Sequence, residues 1–215
     1  MFTLTSSIVA VLSTQLLAGL YTPASRVAGD AKPCEAGATR MIADLQQSIV
    51  RWTGTKIRGK HEGTVALQMG ELCVRQSQIV RAGFVADMRS IEITDIPKHE
   101  TVPRKLLRDH LTGENLFNVE KYPEAVLTIN QVRHENGPVY AVDGTLTMRG
   151  VRLPVSFQAR IPEISSAGVS AQARLKLDRT RWGMRYRLAD PRGLLVDDEF
   201  TLDLTLVARP EHASR

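Results

Sequence analysis

Five histidines, two cysteines and a run of adjacent carboxylates are the residues with chemical reach in this 215-residue chain. His61, His99, His110, His134 and His212 show neither HxxxH nor HExxH spacing, the patterns that turn two imidazoles toward one zinc ion. Asp197, Asp198 and Glu199 lie side by side, whereas a calcium loop needs ligands spaced along about a dozen residues. They read as solvated side chains where a strand begins, and no metal is expected. No GxSxG elbow, Walker loop or GxGxxG turn is present, so no catalytic constellation is expected. Cys34 and Cys73 make no CxxC or zinc pattern. Two readings stay open for them: pairing in an oxidising compartment if the geometry allows, or Cys73 as a small core hydrophobe.

The single-residue candidates are His61, Trp52 and Trp182. His61 falls in the same alternating phase as Val65 and Leu67. It is either a core histidine bonded to backbone or a polar group at a cavity mouth that orients a bound molecule. Tryptophans in such positions pack, and their indole N–H groups usually find a partner.

The elements that must hold these residues are strands. One phase of the segment after Trp52 carries His61, Gly63, Val65, Leu67 and Met69; Phe84 and Met88 then lead to Ile91 and Ile93. Ala125, Leu127 and Ile129 alternate with polar neighbours, as do Tyr140, Val142, Gly144, Leu146 and Met148. Leu153, Val155, Phe157 and Ala159 follow, then Val169 to Leu177, and Phe200, Leu202, Leu204 and Leu206 close the series. Period two of this kind marks strands with one face buried. Asn136-Gly137, Gly150 and Ser165 to Gly168 punctuate four strands into an antiparallel meander. With the earlier segments this predicts an all-β fold, an antiparallel barrel of about eight strands. Pro103 to Leu111 breaks the pattern and predicts one short helix, with Leu106, Leu107, His110 and Leu111 on its buried side and its end at Gly113.

Composition narrows the class. Apolar residues make up 43% and charged residues 24%, and the net charge is +5. That balance is globular, with a mildly basic surface suited to transient contact with anionic headgroups. The basic residues form no stripe with interleaved aromatics, so nucleic acid is not an expected partner. Residues 1–24, with the apolar run Ile8 to Leu20 and small residues after it, outline a signal peptide cleaved near Ala24; no basic residue precedes the run. Residue 20 is Leu, which excludes a lipoprotein anchor there. Residues 25–38 read as a linker, 39–208 as the barrel and 209–215 as a tail.

GTKIRGKHEGTV (Gly54 to Val65), GFVADMRSI (Gly83 to Ile91), HLTGENLFNVEKYP (His110 to Pro123) and GTLTMRGVRLPVSF (Gly144 to Phe157) resemble the YceI-like family in order and spacing. RTRWGM (Arg179 to Met184) and VDDEF (Val196 to Phe200) continue the match; Leu116, Phe117 and Asn118 and the loop Arg185 to Leu195 depart from it. The resemblance implies a periplasmic, lipocalin-like barrel around a long apolar tunnel that takes a polyisoprenoid.

The residues themselves agree with a container. A barrel of about eight strands either fills with its own side chains or admits one ligand. Small inward residues, Gly63, Gly144, Ala125, Ala159, Ala171 and Ala173, favour the latter. The expected lining is Trp52, His61, Val65, Leu67, Phe84, Met88, Leu111, Phe117, Leu127, Ile129, Leu146, Met148, Val155, Phe157, Leu175 and Trp182. The expected ligand is a long-chain isoprenoid lipid or isoprenoid quinone, held without a required cofactor, in a periplasmic or secreted protein whose oligomeric state, a dimer included, is open. Two other readings are a secreted barrel that partners a membrane redox or stress-response protein, and a lipid-acting enzyme with His61 as its base.

Overall fold

In the computed structural model, which describes residues 34–56, 59–185 and 196–211, the alternating segments become nine antiparallel strands. They are β1 (Thr39–Ala43), β2 (Ile49–Lys56), β3 (Gly59–Arg75), β4 (Gln78–Ile93), β5 (Glu124–Asn136), β6 (Val139–Met148), β7 (Val151–Ile164), β8 (Val169–Asp178) and β9 (Val196–Pro210). The strands run β3-β2-β9-β8-β7-β6-β5-β4 around the wall, and β4 pairs back to β3 to close it. β1 and β2 share one position: β1 pairs with the far halves of β3 and β9, and β2 with their near halves. The barrel therefore has eight positions, one of them filled by a strand broken at the turn where the Asp44 carboxylate accepts from the Gln46 and Gln47 N–H groups. The signal segment, the proposed cleavage point, most of the linker, His212 and nearly all of the Arg185 to Leu195 loop lie outside the described residues.

Turn chemistry sets the register of the meander. Gly137 stands at φ 49° between β5 and β6, and Arg149-Gly150, at 51° and 73°, forms the tight turn between β6 and β7. The ladder between β7 and β8 is incomplete. It runs from Ala159–Ala173 to Ile164–Val169, and no pairing joins Val151–Gln158 to Arg174–Asp178. Val155, Leu175, Leu177 and Trp182, all buried, pack on the inner side of that seam. Trp182 is fully buried in the short 3₁₀ turn Arg179–Trp182, and its Nε1–H donates to the Leu146 carbonyl at 3.4 Å.

Helix α1 (Thr101–Thr112) crosses between β4 and β5, where the sequence places a helix, but two details differ. Leu106 is 65% exposed, because the side that meets β4 is the one carrying Arg104 and Arg108, which both bind Glu92. Gly113 ends the helix in extended geometry (φ −71°, ψ 172°), so its freedom to take positive φ is not used. Asn118 takes the positive φ instead, 47°, in the loop that folds Phe117 back until its N–H donates to the Leu111 carbonyl.

Cys34 and Cys73 form a disulfide, which settles their alternatives: Cys73 is both buried and paired. Next to it the carboxylate of Glu71 lies between the guanidinium groups of Arg40 and Arg81, at 2.9 and 3.2 Å.

Candidate functional site

The inward faces of the strands enclose two apolar chambers in line. The deep chamber is walled by residues such as Leu72, Ile79, Ile129, Ile161 and Leu206, and the middle one by Trp52, Met88, Leu146, Met148 and Leu202. Each has a cavity volume of about 100 Å³. Val50, Leu67, Phe84, Leu127 and Leu204 belong to both walls and form the waist between them. A third, smaller cavity of about 70 Å³ continues past Trp52, Phe117 and Phe200 and is roofed by Leu111 and Leu116. β9 records the whole axis: Leu206 lines the deep chamber, Leu204 the waist, Leu202 the middle chamber, and Phe200 the passage to the third cavity. Steps of two along one strand produce this order, because alternate residues share a face.

Most of the residues expected to line a tunnel come together here. Trp52, Val65, Leu67, Phe84, Met88, Phe117, Leu127, Leu146, Met148 and Leu175 surround the middle chamber. Ile129 and Phe157 line the deep one and Leu111 the third. Three do not line any of these cavities. Val155 and Trp182 fill the β7–β8 seam instead. His61 has the inward parity but lies beyond the rim. Its Nδ1 meets Asp95 at 2.8 Å and its Nε2 lies 2.9 Å from the Lys56 ammonium. Asp95 is held below the usual carboxylate range: burial works upward, and the Glu62 N–H and the His61 ring outweigh it.

Several lining residues escaped the sequence reading. Leu202 and Leu204 sit in a strand whose alternation was plain, but Leu72 does not. Register shifts in the β3–β4 ladder between Leu67 and Met69 swap the faces of β3, so Leu67 and Leu72 both point inward and Met69 drops out of the lining. The glycines also play a different part from the one expected. A Cβ at Gly63 would come within 1.8 Å of the Glu92 carbonyl and 2.6 Å of the Trp52 ring. At Gly144 it would meet the Thr128 carbonyl at 2.7 Å. These glycines admit close neighbours and leave no free space; Ala125, Ala159, Ala171 and Ala173 do border the chambers.

The polar groups at the third cavity are committed, with one exception. Arg179 donates from Nε to the Asp197 carbonyl, from Nη1 to the Met184 carbonyl and from Nη2 to Asp198, at 3.1, 2.9 and 2.7 Å. The Asp197 carboxylate accepts from Thr55 Oγ1 at 2.5 Å, and Glu199 pairs with Lys176 at 3.2 Å. The acidic run is thus spread over three partners. Trp52 Nε1 is buried with no partner. Burial pushes the His110 imidazole below its ordinary pKa. Among the described residues no group of three or more His, Cys, Asp or Glu side chains could hold a metal ion. Chelation should therefore leave the melting temperature unchanged; a fall on adding EDTA, restored by one specific ion, would contradict this.

The resemblance in the sequence implies a lipocalin-like barrel around a long apolar tunnel, the closed barrel fits it, and a family model for the YceI-like domain matches residues 42–208. The chain belongs to the YceI-like family. A UPF0312 protein of Photorhabdus laumondii is 46% identical over 52 residues, 24% of this chain and 27% of that protein. A UPF0312 protein of Yersinia pestis is 38% identical over 52 residues. The match thus spans about a quarter of the length of these curated relatives. Among solved structures, BcnA of Burkholderia cenocepacia superposes with a TM-score of 0.63 at 20% identity, covering 77% of this chain and 98% of that one. A polyisoprenoid binding domain from Saccharophagus degradans gives 0.59 at 16% identity, covering 80% and 98%. At these identities the likeness is one of fold.

Proposed function

We propose that this YceI-like barrel holds a long apolar isoprenoid chain, a polyisoprenoid or an isoprenoid quinone, along the line of chambers and performs no chemistry on it. The observation that carries this reading is the line of chambers that share the Val50, Leu67, Phe84, Leu127 and Leu204 walls, with Gln172, Thr205 and the Trp52 indole N–H the only polar side-chain groups among the described residues of either wall. Such a wall holds its ligand by burial alone, at about 0.8 kcal/mol per methylene before ordering costs. The polyisoprenoid binding domain of similar fold agrees with it. No cofactor is required. The Cys34–Cys73 disulfide supports a periplasmic or secreted location. Val102 and Leu106, 67% and 65% exposed on α1 beside Lys105, give the barrel a ridge for transient contact with a membrane surface.

The enzyme reading loses its candidate base, since His61 points at Asp95 and Lys56, away from the chambers. The partner-protein reading would leave the chambers vacant in the cell. Native mass spectrometry of the protein from its own compartment, with solvent extraction, separates the two. A bound mass that fragments in isoprene units is expected. Protein that carries no lipid and takes up no added prenyl chain would end the proposal.

A further inference from the structure

We infer, resting on the chain-binding reading above, that the joint between β7 and β8 is a lateral gate through which an apolar chain passes from outside the barrel to the waist.

A chain held in the barrel needs a way in, and both ends of the line of chambers are tied down. At one end Arg104 and Arg108 of α1 bind Glu92 on β4, while Leu111 and Leu116 roof the third cavity. At the other, Met41 of β1 is fully buried in one cluster with Leu72 and Ile161, and the Cys34–Cys73 disulfide pins the chain before β1 to β3.

The β7–β8 joint in the side wall is weak by comparison. Its neighbours, β6–β7 and β8–β9, each pair without a break over ten residues. β7 and β8 pair only at Ala159–Ala173 and Arg160–Gln172, shift register, and pair again at Glu163–Ser170 and Ile164–Val169. Among the described residues no side-chain hydrogen bond or ion pair joins the two strands; Gln158 reaches Glu135 and Arg174 reaches Asp203 instead. Two paired positions therefore stand between the unpaired seam and the register shift. Segments held by so few hydrogen bonds are the ones that open locally.

An outer groove of about 420 Å³ lies at this place. Ala159, Gln172, Ala173, Leu204 and Thr205 border it and also wall the deep chamber. Leu204 borders the middle chamber as well. Groove and chambers are thus two sides of one patch of wall, which β7 and β8 furnish on the inside with only the methyl groups of Ala159 and Ala173. Toward the third cavity Val155, Leu175, Leu177 and Trp182 plug the seam from within. The alanine pair has no such plug, so the strands part there, beside Leu204.

The test staples the joint from outside. Both cysteines of the chain are in the disulfide, so Gln158→Cys/Arg174→Cys adds the only free thiols to the full-length protein, at two exposed positions beside the Ala159–Ala173 pair. A short bis-maleimide bridges them, checked by intact mass. The same variant capped with N-ethylmaleimide is the control, because it carries both substitutions without the bridge. Dansyl-labelled farnesol is the probe, with uptake read by stopped-flow fluorescence and release by chase with unlabelled farnesol. Bridging before loading should slow uptake by at least about tenfold relative to the capped protein. Bridging after loading should trap the probe and slow its release by a similar factor. An equal rate for bridged and capped protein in either arm would overturn the gate and leave the container reading standing. Should the bridged empty protein bind nothing, the release arm decides alone. Failure of the probe to bind the wild type would remove the container reading, and the gate with it.

Discussion

Leu146→Arg should unfold the barrel or lower its stability by more than about 4 kcal/mol, at the top of the range for single substitutions. Leu146 is 6% exposed and stands between two kinds of surroundings. Its side chain lines the middle chamber and also belongs to the cluster of Val155, Leu175, Trp182 and Met184. An arginine there finds no carboxylate, since the chamber wall is apolar. That outcome reports burial alone, so Leu146→Phe is the informative partner. In a filled core the added volume costs about 1–3 kcal/mol. Beside an open chamber it should cost the free protein less than about 1 kcal/mol, because the ring can occupy space that the structure leaves open. The same ring would then block the chain, and extracted lipid should be lost or shortened. Trp182 donates to the Leu146 backbone carbonyl, so neither substitution removes that bond. Thr145→Phe, on the opposite face of β6 beside Asn130, should change neither stability nor lipid content. Urea unfolding and lipid extraction on these variants give the answer. Strong destabilisation by Leu146→Phe, with wild type free of lipid, would mean that the interior is a packed core.

The barrel was readable because alternation is a local property. From Ala125 to Leu177 and again from Phe200 to Leu206 the apolar residues fall every second position, and every one of those strands forms where the pattern puts it. The tunnel lining was readable to the same extent, since sharing a face follows from sharing a parity. What parity lacks is position along the axis and the places where it slips. His61 has the parity of Val65 but sits past the rim, among Lys56 and Asp95. Phase slips at Leu67/Met69, and again between Met88 and Ile91 where Ser90 Oγ donates to the Asp87 carbonyl and accepts the Ala66 N–H. No residue type in those stretches announces a bulge.

The other misses depend on partners distant in sequence. Val155 was expected beside a ligand because it looks inward by pattern, and Trp182 as a tryptophan that could either pack or line the cavity. They pack on each other's cluster because the β7–β8 ladder stops at Ala159–Ala173, a feature of pairing that neither strand shows alone. Leu106 belongs by helical spacing with His110 and Leu107, yet faces outward because Arg104 and Arg108 reach Glu92 on β4 and fix the rotation of α1.

The disulfide was open in the sequence for the same reason, and breaking it should have the other large effect. Cys34 and Cys73 are 39 residues apart and enclose β1, β2 and most of β3. Removing a link over a loop of that length frees the unfolded chain by about 4 kcal/mol in the chain-entropy picture, within a usual span of about 2–5. Little of this should be lost through packing. Cys73 is 2% exposed between Leu72 and Val74, and a thiol or alanine there remains a small apolar group. The folded barrel should therefore survive reduction, with its β1–β3 pairing intact and its urea midpoint lowered. The double variant Cys34→Ala/Cys73→Ala should match the reduced wild type, and reductant should not change it further. A reduced midpoint equal to the oxidised one would mean that the link adds nothing to the barrel's stability. A reduced protein that unfolds outright would mean that the β1 corner, with Arg40 and Glu71 at its centre, closes only when the chain is oxidised.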